Sequence, residues 1–209
     1  MAGSEHAAVW LVKAGPTVWD EEGRLAGSTD LPLSPRGLAE ARNRAAALKA
    51  QVISQVLCGP DEASVETGRV VAVTAGCRHK VVEGLREVGL GLWEGVRVAE
   101  IEDRCAKTFR TWKDDPASVS VPGGELLQDA SERMLEVFRK LIPKHAGKPG
   151  TLAVVLRPVT FGLARCWIED RGTSELWTLS TQGPGVERLN VDCSRLRERL
   201  GLTRAPAGR

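Results

Sequence analysis

Apolar and polar positions alternate along the chain in blocks that predict strands and helices in turn. Short apolar runs bounded by turn residues indicate strands over residues 8–13, 55–58, 80–83 and 151–156. Between them, apolar residues recur at helical spacing, which predicts helices that begin at Ser34-Pro35 and that cover 62–75 and 127–141. This alternation favours an α/β fold, a three-layer sandwich with a mostly parallel central sheet and helices on both faces.

The pattern also predicts a helical stripe in the middle of the chain and two strands near its end. The stripe, which Pro116 ends, consists of Val98, Ile101, Cys105, Phe109 and Trp112. Residues 159–169 are expected to form a helix, and residues 175–179 and 186–189 two strands. Trp177 lies on the first of these late strands and is a candidate interface residue.

Composition indicates one folded domain over residues 1–202, followed by a flexible basic tail at 203–209. Of the 209 residues, 42% are hydrophobic and 27% are charged, which is typical of a globular protein. The net charge of +2 is too small to favour a nucleic acid as a partner. The apolar runs are too short for a bilayer span and the N-terminus does not resemble a signal peptide, so we expect no membrane partner and a cytoplasmic location.

The cysteines and histidines are not spaced as metal or redox motifs require. The chain has five cysteines and three histidines, all widely separated. We therefore expect reduced thiols, no metal and no cofactor. Cys58 ends a predicted strand, but it lacks the following arginine that cysteine phosphatases use, so a packed structural thiol is the favoured interpretation.

Several segments, in order along the chain, carry a family resemblance. In residues 9–20 an apolar strand runs into the small-residue turn Lys13-Ala14-Gly15. Leu85-Arg86-Glu87 precedes Trp93-Glu94-Gly95, and Pro122-Gly123-Gly124-Glu125 forms a later turn. Together they resemble the histidine phosphatase (phosphoglycerate mutase-like) superfamily over nearly the whole chain. The resemblance implies the same α/β fold.

The resemblance also implies where a catalytic site would lie. In that family a nucleophilic histidine takes up phosphate, and a second histidine, two arginines and an acid complete the site. Here the two histidine positions are Ala14 and Arg157, and the two arginine positions are Lys13 and Ala63. Only the acid, Glu87, is retained.

Two flanking positions depart from the family as well, since Pro16 replaces a glutamate and Asp20 an asparagine. Breaking a phosphate ester needs an in-line nucleophile, cations around the phosphoryl oxygens and an acid for the leaving group. A methyl group at position 14 has no lone pair with which to attack phosphorus. None of the histidines, His6, His79 and His145, lies at a predicted strand end from which it could replace the missing groups.

The leading hypothesis is therefore a pseudoenzyme that acts as a protein-binding, scaffold or assembly subunit, with a protein partner or by self-association. One alternative is a phosphatase or phosphoglycerate mutase-like enzyme with altered chemistry. Another is a non-hydrolysing sensor of a phosphorylated metabolite, in which Lys13, Thr17 and Arg157 bind the anion with help from backbone amides of the first turn. In the simplest interpretation, Lys13 and Arg157 pair with Glu87 and Asp20 and fill the pocket.

Overall fold

The computed structural model describes residues 6–198, and all of its strands belong to one five-stranded sheet. The strands are β1 (His6–Lys13), β2 (Ile53–Cys58), β3 (Arg78–Val81), β4 (Thr151–Leu156) and β5 (Val186–Asp192). Their order is β3-β2-β4-β1-β5, in which β5 is antiparallel to β1 and every other neighbouring pair is parallel. The predicted fold class is therefore confirmed.

Helices cover both faces of the sheet. The α-helices are α1 (Val18–Glu21), α2 (Pro35–Ala47), α3 (Glu62–Ala75), α4 (Val98–Arg104), α5 (Ala106–Asp114), α6 (Leu127–Leu141), α7 (Pro158–Ile168), α8 (Leu176–Thr181) and α9 (Cys193–Glu198). Single 3₁₀ turns lie at Glu83–Leu85, Gly91–Trp93, Pro116–Ser118, Ile142–His145 and Thr173–Glu175. Within residues 6–198, no helix combines the length and apolar character that a membrane span requires.

Side chains from the central strands alternate between two cores. Odd positions of β1 and even positions of β4, such as Leu11 and Val154, pack with Phe138 of α6 and Phe161 of α7. Val12 and other side chains on the opposite face pack with α2 and α3. Because β4 lies between β1 and β2, its residues 152–156 are fully buried. Such continuous apolar strands are typical of a parallel sheet covered on both sides.

Two helix N-termini are fixed close to the carboxyl edge of the sheet by side-chain caps. The Ser34 hydroxyl accepts a hydrogen bond of 2.8 Å from the amide of Gly37, at the start of α2. The Asp61 carboxylate accepts one of 2.9 Å from the amide of Ser64, at the start of α3. These caps place the first turns of both helices beside the ends of β1 and β2.

The predicted strand at 175–179 is wrong, because this segment is the helix α8. Leu176, Leu179 and Ser180 are its buried side chains, which is helical rather than alternating spacing. Trp177 therefore lies on a helix, where its Nε1 donates to the Trp112 carbonyl at 2.8 Å. The centroids of these two tryptophan rings are 4.0 Å apart, so Trp177 packs within its own chain.

The predicted stripe 98–112 is helical, but it is divided between two helices, α4 and α5. The break is at Cys105, whose φ of −131° and ψ of 39° are not helical, and whose side chain is exposed. Ile101 and Phe109, on either side of it, are buried as the stripe predicts. Strand and helix ends elsewhere differ from prediction by up to three residues, and the predicted tail at 203–209 lies outside the described residues.

Candidate active site at the carboxyl edge of the sheet

The ends of β1 and β4 bring positions 14 and 157 together. Parallel pairing sets Lys13 opposite Leu156, and the Ala14 amide donates to the Leu156 carbonyl at 2.8 Å. Ala14 and Arg157 therefore follow adjacent strands at the same edge of the sheet. In α/β proteins this edge is where ligands bind.

Arg157 is buried at this edge with one of its donor groups unsatisfied. The residue is 3% exposed, and its Nη2 lies 3.2 Å from Oδ2 and 3.4 Å from Oδ1 of Asp20. Its Nη1 has no hydrogen-bond partner in the part of the chain that the structure describes. A buried donor without a partner costs about 1–3 kcal/mol, and more when it is charged. Nη1 therefore has unused capacity for a further acceptor, for which an anion is the strongest partner.

Asp20 is held beside Arg157 by the cap of α1. The Asp20 carboxylate accepts hydrogen bonds from the Thr17 amide at 2.7 Å and from the Thr17 hydroxyl at 2.8 Å. In return, the Asp20 amide donates to the Thr17 hydroxyl, which completes a capping box. The Thr17 hydroxyl is thus engaged within its own helix cap, and the anion-binding role of Thr17 stays a prediction.

Lys13 contacts a different part of the molecule. Its Nζ donates to the Ser180 carbonyl at 3.0 Å and lies 5.9 Å from the centroid of the Phe161 ring. Since successive residues of a strand face opposite sides, Lys13 shares a face with Leu156 rather than with Arg157. Burial, and then the charge of Arg44, lower the pKa of Lys13. The two predicted cations thus bind separate partners, and the anion-binding role of Lys13 also stays a prediction.

Glu87 caps the first turn of α7 with both carboxylate oxygens. Oε1 accepts from the Val88 amide at 2.8 Å, the Thr160 amide at 2.8 Å and the Thr160 hydroxyl at 2.6 Å. Oε2 accepts from the Val159 amide at 2.8 Å. Burial raises the pKa of Glu87, although the Thr160 hydroxyl and the charge of Arg157 oppose this effect. The carboxyl group, 3% exposed, is occupied in holding structure rather than turned to a leaving group.

Arg133 of α6 holds the segment that carries Glu87, and the sequence pattern did not single it out. Its guanidinium donates to the carbonyls of Gly84, Arg86 and Glu87 at 3.1, 2.8 and 3.1 Å. It also forms two hydrogen bonds of 2.7 Å with the carboxylate of Glu125. The turn 122–125 thus supplies the anion that orients Arg133. Only the three-dimensional fold joins Arg133 to the carbonyls of Gly84, Arg86 and Glu87, because they lie 46 to 49 residues away in sequence.

The start of α3 contributes neither a cation nor a nucleophile to the site. Ala63, at the predicted arginine position, is completely buried. Cys58 ends β2 nearby, and burial, followed by the charge of Asp61, raises the pKa of its thiol to about 12. The thiol is therefore protonated near neutral pH, and only the thiolate is a good nucleophile.

The backbone amides of the first turn already have partners within the protein. The Gly15 amide donates to the Thr67 hydroxyl at 3.1 Å, and the Thr17 amide donates to Asp20. The Ala14 amide pairs with β4, and Pro16 has no amide hydrogen. An anion at this turn would therefore depend on side chains, chiefly on Arg157.

The histidines lie away from the ends of β1 and β4. His6 is the first residue of β1, at the opposite edge of the sheet, and His79 lies within the exposed edge strand β3. The Nδ1 atom of His145 lies 3.2 Å from the Ser54 hydroxyl near the start of β2. No histidine is thus placed to take up a phosphoryl group at this site, and the anion-binding role of Arg157 stays a prediction.

Comparison with known proteins supports the resemblance over most of the chain. A family model described as "Histidine phosphatase superfamily (branch 1)" matches residues 9–199. Phosphoserine phosphatase 1 of Hydrogenobacter thermophilus is 24% identical over 182 residues, which cover 87% of this chain and 85% of that protein. A probable phosphoglycerate mutase, GpmB, of an Enterobacter species is 29% identical over 126 residues, 60% of this chain and 59% of that protein.

Solved structures share the fold. A mycobacterial glucosyl-3-phosphoglycerate phosphatase matches with a TM-score of 0.74 at 20% identity, over 83% of this chain and 84% of that one. The protein YhfR of Bacillus stearothermophilus matches with the same TM-score of 0.74 at 26% identity, over 82% of this chain and 84% of that one.

The names of these relatives correct the leading functional hypothesis. They are named as phosphatases and a mutase, which are enzymes. The hypothesis of a pseudoenzyme acting as a protein-binding or scaffold subunit is therefore wrong as the leading interpretation, and the alternative of an enzyme with altered chemistry is favoured. A protein partner, self-association and the cytoplasmic location stay predictions.

Proposed function

Because the chain belongs to branch 1 of the histidine phosphatase superfamily, we propose that it is a phosphatase of a small phosphomonoester that works without a histidine nucleophile. The observation that carries this proposal is the buried Arg157, whose Nη1 has no hydrogen-bond partner within the described residues. A planar guanidinium suits the oxygens of a phosphate group, and burial strengthens such a contact. The choice of a small metabolite as the ester is supported by a relative named for phosphoserine.

Direct hydrolysis suits these residues better than a mutase reaction. A mutase that passes the phosphoryl group through the protein needs a side chain to carry it, and Ala14 has none. In direct hydrolysis, the oxygen of a water molecule forms a bond to phosphorus while the ester P–O bond breaks. The leaving alcohol keeps that electron pair and gains the proton that the water loses. Arg157 stabilises the charge on the phosphoryl oxygens during this step.

Turnover is expected to be slow. General acid–base catalysis typically contributes about 10²–10⁴-fold to a rate, and Glu87 is engaged in capping α7 instead of facing a leaving group. The rate enhancement would come from binding and charge stabilisation alone. Phosphate release should therefore be measured at high protein concentration over hours.

The test is phosphate release from a panel of phosphomonoesters that includes phosphoserine and 3-phosphoglycerate. The wild type should release phosphate from at least one of them, and Arg157→Lys should reduce the rate at least tenfold. Arg110→Lys, on the exposed side of α5, is the matched control and should keep the wild-type rate. Intact-protein mass spectrometry of quenched reactions should find no phosphorylated protein. Release that is equal in wild type and Arg157→Lys would contradict the proposal.

A second candidate function is a non-hydrolysing sensor of a phosphorylated metabolite. Ala14 and Ala63 favour it, because the methyl groups at these two positions can neither attack phosphorus nor stabilise the charge of a transition state. A sensor would show a ligand-induced rise in melting temperature without phosphate release. The double variant Lys13→Ala/Arg157→Ala should lose that rise.

A further inference from the structure

The carboxylate of Asp20 contacts Arg157 and is the more exposed member of the pair. The Arg157 side chain is 4% exposed and the Asp20 side chain 23% exposed, so any ligand of this guanidinium binds next to the Asp20 charge. The two groups together carry no net charge. A dianionic phosphate is therefore attracted by Arg157 and repelled by Asp20 at the same place.

The pair leaves both partners incompletely satisfied. A charge-assisted N–H···O contact is usually about 2.7–2.9 Å long, whereas both Arg157–Asp20 distances exceed 3 Å and involve Nη2 alone. The capping box with Thr17 fixes Asp20 in place, with hydrogen bonds of 2.7 and 2.8 Å to Oδ2. Among the described residues, Oδ2 thus has three donors, whereas Oδ1 receives only the 3.4 Å contact from Arg157. Nη1 of Arg157 and Oδ1 of Asp20 are consequently the groups with capacity to bind a ligand.

Arg157 Nη1 is a cationic donor and Asp20 Oδ1 an anionic acceptor, and each has room for another hydrogen bond. Together they suit a ligand that carries both a negative and a positive charge. The phosphate of such a ligand binds Nη1 of Arg157, and a cationic amine close to that phosphate binds Oδ1 of Asp20. An ester without the amine leaves the Asp20 charge facing the phosphate without compensation. Selection then arises as much from repulsion of the wrong ligand as from attraction of the right one.

We propose that Asp20 is a specificity-determining residue that selects phosphomonoesters bearing a cationic amine near the phosphate. This inference rests on the anion site of the proposed function, but it concerns binding and does not require turnover. Phosphoserine and 3-phosphoglycerate are the natural probes, because they differ only by an ammonium group in place of a hydroxyl. Their comparison isolates the charge that Asp20 would recognise.

The experiment is isothermal titration calorimetry of the wild type with both probes at fixed pH and salt. We expect phosphoserine to bind about tenfold more tightly than 3-phosphoglycerate, as a partly buried ion pair allows. Asp20→Asn should remove this preference by tightening 3-phosphoglycerate and weakening phosphoserine. Glu22→Gln removes the same charge two residues away, where Glu22 pairs with Arg24, and should keep the preference within about twofold.

The outcomes separate this inference from the proposed phosphatase activity. Equal affinities of the wild type for the two probes overturn the inference without any variant, whether or not phosphate is released. A preference that survives Asp20→Asn in a folded variant, checked by circular dichroism, overturns it too. A preference for phosphoserine that Asp20→Asn removes supports the inference even where no phosphate is released, in which case only the hydrolysis proposal fails.

Discussion

The residue that follows β4, Arg157, leaves the first amides of α7 without a side-chain cap from the N-cap position. Arg157 occupies the N-cap position, but its side chain has no acceptor to offer the free amides of the first turn. Pro158 follows as the first helical residue and needs no acceptor. Glu87 satisfies the next two amides from a distant segment, which explains why this acid is buried and hydrogen-bonded rather than exposed to the pocket.

This arrangement predicts a structural role for Glu87 that a conservative substitution will reveal. In Glu87→Gln, the side-chain NH₂ group would take the place of Oε2, the atom that accepts from the Val159 amide. Two hydrogen-bond donors would then face each other. We expect the free energy of unfolding to fall by about 1–3 kcal/mol, the cost of an unsatisfied buried donor. Urea denaturation measures the change. Glu83→Gln is the control, since Glu83 is exposed and its pairing with Arg86 is loose at 3.6 Å; equal losses in the two variants would contradict this role.

At the scale of elements, close contact between α2 and the turn after β1 shapes the site. Two glycines make the contact possible. A Cβ atom on Gly37 would lie 1.9 Å from the Pro16 carbonyl oxygen, and one on Gly15 would lie 2.3 Å from the Gly37 carbonyl oxygen. Any side chain at either position would push the first turn of α2 away from the strand end, and with it the backbone that positions Asp20.

Gly37→Ala should therefore be strongly destabilising even though alanine favours helices. We expect a loss of about 3 kcal/mol or more in the free energy of unfolding, because the contact involves backbone that has little room to move. Thermal and urea unfolding measure the loss. Gly172→Ala is the matched control, since the nearest atom to its added Cβ is the Ser174 hydroxyl at 3.4 Å. A neutral Gly37→Ala would show that α2 can shift freely at this turn.

Hydrophobic patterning predicted the elements well where tertiary structure agrees with local pattern. The apolar run at 151–156 is β4 with the same bounds, because a strand buried on both faces needs no alternation. The segment around Trp177 failed because a short apolar run fits either a strand or a helix. For the stripe 98–112, the pattern predicted the buried residues but not the break between α4 and α5, since nothing in the spacing marks Cys105 as a helix end.

At the scale of the whole molecule, the sequence predicted the location of the site but not its internal contacts. Strand order follows from the fold class, so positions 14 and 157 could be expected at one edge. The partners of Lys13 depend on α8, which was predicted as a strand, and those of Glu87 depend on α7 packing against a loop. The proposed function draws on the comparisons, because a missing histidine by itself indicates lost catalysis and not what replaces it.

Stability of the whole fold should also depend on pH through its partly buried ionisable groups. Burial, then the charges of Lys148 and Lys144, lower the pKa of His145 from its usual 6.5. The unfolded chain therefore binds a proton at this position more readily than the folded one. The corresponding stability is complete above pH 6.5 and is lost as pH falls through that value towards the lower folded pKa.

The expected result is a decrease in the free energy of unfolding of the wild type as pH falls below 6.5. His145→Gln removes the titrating group and should flatten this part of the profile. His79→Gln, on the exposed strand β3, is the control and should keep the wild-type slope. Urea denaturation at a series of pH values measures all three.

A slope above pH 4.5 that persists in His145→Gln would contradict the assignment to His145, and Glu94 contributes a separate slope at lower pH. Burial raises the pKa of Glu94, but hydrogen bonds from Thr29, Leu90 and Ser28 together outweigh burial and hold the pKa below the usual 4.5. The stability that Glu94 contributes is therefore present above that value and is lost only as pH falls further. A slope confined to the range below pH 4.5 would point to Glu94, whereas His145 acts at higher pH.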